Sequence, residues 1–355
     1  MRRFEGFEGV ECIVVNSASA PAFTTRIRML CDRPRVTYAE DPTPRYPFAP
    51  GVARNLGVDA AVGDYVLFYD VDLVSDDDFV PALERWCAAA TNPCAFLMVP
   101  CLYVTETATR QMSQARIDLA PYLKSYLVGE NHMVDNVAVS TSTVVVSRGH
   151  FLRVGGNRPE YQGHGCEDFD LLHRLASYWP LAAKPADYYL DERTKFPADY
   201  RGFRGYFARY SLPHLFGGPY TAHLWHSRPI IRRYFRQRQR NEALLQANMR
   251  AHDAGREIQQ SFRAVGTPKL PPLPAPWSTG TSTPLPIRDL VQDLLVRAGH
   301  DPSIDVGLIR LKPGVSVPRG SSCRGKLKKL ILRPRQFLED ARHPRLRRLA
   351  RLFDR

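Results

Sequence analysis

The chain has 355 residues, of which 44% are hydrophobic and 24% are charged, and this composition is ordinary for a globular protein. Seven cysteines without a CxxC pair argue against a disulfide framework and against a zinc ribbon. The formal net charge is +13, and thirteen basic against three acidic residues place +10 of it in residues 319–355. Because the remaining residues are close to neutral, we expect no nucleic-acid partner.

Short apolar runs alternate with amphipathic stretches through roughly the first half of the chain. In chain order, the predicted elements are strand 11–16, helix 21–31, strand 35–38, helix 51–61, strand 65–69, helix 79–90, strand 95–104, strand 140–147 and helix 168–177. This alternation predicts an α/β fold with a mainly parallel sheet and flanking helices.

The last third of the chain has a different pattern. A long polar helix is predicted after residue 230, and seven prolines between 268 and 286 indicate an extended linker. A short helix at 289–298 precedes the basic tail. The pattern therefore predicts a main domain at 1–262, a Pro-rich linker at 263–288, and a helical segment with the tail at 289–355.

Two carboxylates, Asp70 and Asp72, follow the apolar strand at 65–69. Residues two apart on a strand share a face, so both could bind one cation or one phosphate group. Carboxylates at the end of a strand in an open α/β sheet suit Mg²⁺ or Mn²⁺ held together with substrate phosphates. The alternative is a solvated acidic turn, because three further aspartates occupy 76–78.

A glycine-rich segment, GGNRPEYQGHGCEDFDLLHRL, occupies residues 155–175. Its glycines permit tight turns, and they precede Glu167, Asp168 and Asp170 at the start of a predicted helix. Acidic residues in a first turn also favour the helix dipole, which is the purely structural explanation. That explanation does not require four glycines and a histidine, so the pattern favours a functional site.

A third segment, TAHLWHSRP, places His223 and His226 on either side of Trp225. Imidazoles can bind a metal ion or act as a general base. A histidine in such a place is more often structural, and the segment gains weight only if the aspartates need a further metal ligand.

The run ARNLGVDAAVGDYVLFYDVD, residues 53–72, resembles the ARNxGxxxAxGxYxxFxDxD signature of GT-A-fold glycosyltransferases of the family-2 type. The segment at 155–175 is similar to GGFDExFxGWGxEDxDLxxRL, found in galactosyltransferase-type C-terminal halves such as those of chondroitin-polymerase-like enzymes. The resemblance covers roughly residues 11–245. It implies an inverting transferase that moves a sugar from a UDP-sugar to a glycan or lipid-linked acceptor in surface polysaccharide synthesis.

The resemblance also implies roles for particular residues. Mn²⁺ or Mg²⁺ is expected on Asp70, Asp72 and His226, with His223 as the second choice of histidine ligand. Asp168 is expected to be the catalytic base, and Glu167 to bind a hydroxyl of the donor or acceptor. The residues expected to bind substrate are Asn16, Arg54, Asn55, Asp70, Gly163, His164, Gly165 and Trp225.

Three features depart from the family pattern. Asn16 stands where an aspartate usually contacts the nucleoside, and His164 replaces the tryptophan of GWG. The run ECIVVN matches the second strand of the fold, so the first strand is expected to be missing and the true start to lie upstream. A catalytically degenerate sugar-binding or scaffold relative therefore stays an alternative, as does, less favoured, a basic nucleic-acid-binding protein.

The tail contains two short basic amphipathic segments, one before Pro334 and one after Pro344. Such segments suit the anionic inner leaflet of a membrane, while a solvated tail or a partner-docking helix is the alternative. The first residues, MRRFEGFEGVE, lack the apolar run of a signal peptide. We therefore expect a cytoplasmic protein that attaches peripherally to the inner face of the membrane.

Overall fold

The structure is a computed structural model, and it describes residues 4, 6–17, 19–112, 117–139, 142–192, 194–226, 233–256, 285–302 and 307–312. The chain divides into one unit at Met1–Lys312 and a second at Pro313–Arg355. Most of the predicted linker and the whole basic tail lie outside the described residues, so the expectations about them stay predictions.

The strands are short. They are β1 (Cys12–Asn16), β2 (Val36–Glu40), β3 (Tyr65–Leu67), β4 (Leu73–Val74), β5 (Phe96–Met98), β6 (Cys101–Val104), β7 (Val134–Ala138), β8 (Val144–Ser147) and β9 (Thr221–His223). The helices are α1 (Pro21–Cys31), α2 (Pro50–Ala60), α3 (Phe79–Ala89), α4 (Glu106–Met112), α5 (Ala120–Leu127), α6 (Arg148–Arg153), α7 (Glu167–Ala176), α8 (Gly202–Ala208), α9 (Arg233–Arg236), α10 (Arg238–Asp253) and α11 (Ile287–Arg297). Short 3₁₀ helices occupy Pro197–Asp199 and Leu212–Phe216.

The strands form a mixed α/β structure with three small sheets, β1-β2, β3-β8-β5 and β4-β9-β6-β7. Only β1 with β2 and β6 with β9 pair in parallel, whereas the other four pairings are antiparallel. The prediction of a mainly parallel sheet is therefore wrong for the described residues. Among them β1 pairs with β2 alone, and the expectation of a missing first strand stays a prediction.

The apolar run at 95–104 forms two strands in two different sheets. Pro100 separates β5 from β6, and proline has no N–H to donate to a strand partner. Its carbonyl accepts from Thr221 at 3.0 Å and so begins the pairing of β6 with β9. At Pro100 the chain therefore passes from the sheet β3-β8-β5 to the sheet β4-β9-β6-β7, whose strand β9 carries His223.

Helix α11 packs within the first unit, against α8 and the two 3₁₀ helices. Its residues Val291 and Leu295 are fully buried, as expected for an apolar pair one turn apart on one helix face. The structure assigns this helix to the unit that ends at Lys312, and the predicted domain boundaries stay predictions. Among the described residues, no helix combines the length and the apolar character needed to cross a membrane.

Candidate active site

The turn after β3 separates the two predicted metal ligands. The last ladder bond of this region runs from the Phe68 N–H to the Val144 carbonyl at 3.0 Å. Asp70 and Asp72 then lie in a turn, closed by the Leu73 N–H donating to the Asp70 carbonyl at 3.1 Å. The expectation that both carboxylates share one face of a strand is therefore wrong, because the strand ends before them.

Asp72 faces two histidines. The Nε2 atoms of His223 and of His226 each lie 3.1 Å from Asp72 Oδ2. The register explains this, because β4 pairs with β9 so that Leu73 lies opposite His223. Burial alone would raise the pKa of Asp72, but the hydrogen bond and charge of His223 outweigh it and hold that pKa below its usual value.

The donor set of this cluster fits a divalent cation. The ligand atoms of Asp72, His223 and His226 all lie within 4.8 Å of one another. Two imidazole nitrogens favour a transition-metal ion over Mg²⁺, which prefers oxygen ligands. Of the two predicted ions, Mn²⁺ is the better fit to these residues.

Asp70 lies outside that cluster and is held by Arg54 instead. The Arg54 guanidinium lies 3.3 Å from Asp70 Oδ1 and 2.9 Å from Glu167 Oε1. Burial alone would lower the pKa of Arg54, but the charges of the two carboxylates raise it, so the guanidinium stays charged. Arg54 therefore joins the turn after β3 to the first turn of α7.

Glu167 and Asp168 begin α7 but have different surroundings. Glu167 is 4% exposed, and its Oε2 has no hydrogen-bond partner among the described residues. Burial and the charge of Asp168 raise the pKa of Glu167, and the charge of Arg54 lowers it. The net effect raises this pKa to about 7. Asp168 is partly exposed, and its Oδ1 accepts from the Phe169 N–H at 2.9 Å. Of these two carboxylates, Asp168 is therefore the one that is open to solvent.

The loop before α7 needs its glycines for two different reasons. Gly163 has a φ of +73°, and a Cβ there would lie 2.5 Å from the Tyr234 carbonyl. Gly165 has a φ of +88°, but a Cβ there would meet no atom within 4 Å. His164 lies between them and donates its N–H to the Tyr234 carbonyl at 2.9 Å. Gly163 thus permits close packing, whereas Gly165 supplies only the backbone conformation.

Asn55 is used inside the protein. Its Nδ2 donates to the Asn157 carbonyl at 2.7 Å, and its Oδ1 accepts from the Asn157 N–H at 2.8 Å. The structure therefore places Asn55 as a tie between α2 and the glycine-rich loop. Trp225 lies beside the histidine cluster, where its backbone N–H donates to Thr109 Oγ1 at 2.7 Å.

Asn16 ends β1 and is 3% exposed. Its Nδ2 donates to Thr24 Oγ1 at 3.2 Å and to Tyr38 Oη at 3.0 Å. Its Oδ1 is buried without a hydrogen-bond partner among the described residues. A buried acceptor of this kind can receive an N–H from a ligand.

Two contacts at the site could not be foreseen from the sequence. Ser142 donates from Oγ to Asp70 Oδ2 at 3.1 Å, and no motif marks this serine. The ring of Tyr103 stacks on that of His223, with centroids 4.7 Å apart. Tyr103 follows the ordinary pattern of a strand residue, so only the pairing of β6 with β9 reveals its position.

A second group, His173, His252 and Asp253, also has the composition of a metal site. Here Asp253 Oδ1 lies 2.5 Å from Lys184 Nζ, and Asp253 Oδ2 accepts from Tyr189 at 2.7 Å. A lysine ammonium already neutralises this carboxylate, so the group is a structural link between α7 and the end of α10.

The sequence matches the family described as glycosyltransferase like family 2 over residues 2–251. The chain belongs to this family. The family membership identifies the protein as a glycosyltransferase, and the predicted family-2 relationship is confirmed.

One solved structure similar to this glycosyltransferase is that of S. aureus TarS 1-349, at 13% sequence identity and a TM-score of 0.33. The match covers 49% of this chain and 48% of the TarS chain, so it spans about half the length of either. No curated protein matches the glycosyltransferase.

Proposed function

We propose that this glycosyltransferase has a GT-A-type catalytic unit and transfers a sugar from a UDP-sugar, with Mn²⁺, to a glycan or lipid-linked acceptor. The observation that carries the proposal is the convergence of His223 and His226 on Asp72. Family membership supports sugar transfer as the reaction, and the cluster of Asp72, His223 and His226 supports the use of a divalent cation.

We assign the binding site of the uracil ring of the UDP-sugar to the end of β1. Asn16 Oδ1 is a buried acceptor, and the neighbouring Nδ2 is held by Thr24 and Tyr38. An acceptor in this position suits the N–H of a uracil ring. This supports UDP over a nucleotide whose base presents only acceptors there.

In the proposed mechanism Asp72, His223 and His226 hold the cation. When bound, Mn²⁺ supplies a Lewis acid that stabilises negative charge on the departing diphosphate. The bond between the acceptor oxygen and the anomeric carbon forms as the bond from that carbon to the diphosphate breaks. Asp168 receives the hydroxyl proton on its carboxylate, and a single displacement of this kind inverts the anomeric centre.

Arg54 fixes the two carboxylates that flank this chemistry. It lies 3.3 Å from Asp70 and 2.9 Å from Glu167, so neither carboxylate is an uncompensated charge beside the diphosphate. We assign to Glu167 a hydrogen bond with a sugar hydroxyl, because its Oε2 has no hydrogen-bond partner among the described residues.

The test is UDP binding by isothermal titration calorimetry with and without Mn²⁺. Asp72→Asn should weaken Mn²⁺-dependent UDP binding by about tenfold or more, because it removes the carboxylate of the donor set. The matched control is Asp64→Asn, which changes an exposed aspartate before β3. Equal Mn²⁺-dependent affinity for UDP in wild type and Asp72→Asn would contradict the assignment.

Turnover separates an enzyme from a degenerate sugar-binding relative. UDP release is measured across a panel of UDP-sugars with Mn²⁺. Release from at least one donor supports the proposal, whereas tight binding of every donor without release supports a non-catalytic role.

A further inference from the structure

A cavity lies along one face of α10, the helix that Asn241 ties to the loop before α7. Its volume is about 290 Å³, just below the range of roughly 300–1,000 Å³ for small-ligand sites. Its lining includes Asp191, Phe203, Gln239, Glu242, Ala243 and Gln246. Residues 239, 242, 243 and 246 follow the spacing of one helix face, so α10 forms one wall of the cavity.

Contacts and charges place this cavity next to the proposed catalytic base. Asn241 of α10 donates to the Gly165 carbonyl at 3.1 Å, which ties the helix to the loop before α7. Arg204 pairs with Asp191 on the cavity wall. The Arg204 guanidinium also lies over the ring of Phe169, 4.6 Å from its centroid, and Phe169 directly follows Asp168 in α7.

The polar groups of the cavity are fixed in place. Asp191 accepts from Arg204, and Glu242 accepts from Arg238 at 2.9 Å. Gln246 donates its side-chain amide to the Tyr189 carbonyl. Carboxylates and amides held in this way present several directed acceptors and donors, which is the arrangement needed to bind neighbouring hydroxyls.

We infer that this cavity is the acceptor subsite and that it takes a neutral sugar, such as a hexose or an N-acetylhexosamine, in preference to a uronic acid. The inference rests on the proposed function and deepens it. Among the described residues, the lining carries two carboxylates and no basic side chain. The paired guanidiniums of Arg204 and Arg238 are not among the lining residues, so an anionic sugar would meet the carboxylate oxygens first.

The test uses saturation-transfer difference NMR on the full chain with Mn²⁺ and UDP present. The probes are methyl β-galactoside, methyl N-acetyl-β-glucosaminide and methyl β-glucuronide. Wild type should bind the two neutral glycosides about tenfold more tightly than the glucuronide, since specificity is a difference of affinities. Failure of wild type to bind either neutral glycoside, or equal binding of the glucuronide, would overturn the inference.

Two matched variants locate the site. Ala243 and Ala247 are exposed and one turn apart on α10, but only Ala243 lines the cavity. Ala243→Trp should abolish neutral-glycoside binding, whereas Ala247→Trp should leave it unchanged. Glycoside binding by Ala243→Trp at the wild-type level would refute the location of the site.

A third variant tests the charge. Glu242→Gln should keep the shape of the cavity and reduce the discrimination against methyl β-glucuronide, and unchanged discrimination would refute the electrostatic argument. Glu84→Gln, an exposed change on α3, is the control. Mn²⁺-dependent UDP binding is measured for wild type and for each variant. Absence of UDP binding by wild type would contradict the proposed function, whereas the glycoside results test the acceptor subsite alone.

Discussion

Arg54 donates to Glu167 across 2.9 Å, and this contact between residues 113 positions apart joins two helices. The guanidinium also lies over the ring of Phe68, 5.9 Å from its centroid. One side chain therefore connects helix α2, the end of β3 and the start of α7. The geometry of the site depends on this charge, whose side chain is only 14% exposed.

Removing that charge should destabilise the protein strongly. Arg54→Met leaves Glu167 buried without its ion-pair partner, and such a loss costs about 3–5 kcal/mol of unfolding free energy. Urea denaturation measures the change. Arg28→Met, which breaks an exposed pair with Glu40, should have a much smaller effect. Equal losses in both variants would show that burial of Arg54 has no energetic consequence.

Asp168 and Asp170 lie on one helix, but replacing each with asparagine should have different effects. Asp168→Asn should retain UDP binding and stability but lower transfer by about 10²–10⁴-fold, the range for a positioned base. Asp170 is buried and paired with Arg158 at 3.2 Å and Arg174 at 2.8 Å. Asp170→Asn should therefore reduce the free energy of unfolding. Full transfer activity in Asp168→Asn would assign the base elsewhere, and first to Glu167.

The raised pKa of Glu167 predicts a pH dependence of stability. The pKa moves from an ordinary value of 4.5 to about 7, so the folded state binds this proton more tightly than the unfolded chain. The resulting stabilisation is complete below pH 4.5 and is lost as the pH rises through 7. The loss amounts to roughly 3 kcal/mol at most.

Glu167→Gln should remove this dependence, because the amide does not titrate. Urea denaturation at pH 5 and at pH 8 measures it, with the difference between the two conditions smaller in the variant than in wild type. The same difference in both proteins would show that another group titrates in this range.

The two glycines before α7 should respond differently to alanine. Both have positive φ, so each substitution should cost about 1–2 kcal/mol from backbone strain. Gly163→Ala should cost more, because its Cβ would collide with the Tyr234 carbonyl at 2.5 Å. Thermal and urea unfolding compare the two variants, and equal costs would mean that the backbone near Tyr234 moves without penalty.

Local elements were predictable because their signals are local. Helix α1 has the predicted bounds, Pro21–Cys31, and α3 and α7 begin within one residue of prediction. Proline at a first turn and an apolar stripe are enough to define such helices. The direction of strand pairing could not be predicted, because a buried strand such as β8 has the same apolar composition beside parallel or antiparallel neighbours.

The candidate site was predictable in its members but not in its groupings. The motifs named Asp72, His226 and Glu167, yet they grouped Asp70 with Asp72. Spacing along a strand could not reveal that β3 ends at Leu67 and that Arg54 reaches Asp70 from another helix. Such contacts depend on how helices and sheets pack, and no short motif carries that information.

The register of β4 against β9 makes the cation site a link between distant parts of the chain. Asp72 and His226 are separated by 154 residues. A cation bound by both would close the loop between them and tie the turn after β3 to the strand that carries His223. Since only the folded chain brings these ligands together, cation at one hundred times its dissociation constant would add about 2.7 kcal/mol to folding. The site would then form only after the ribosome has released the segment that contains both histidines.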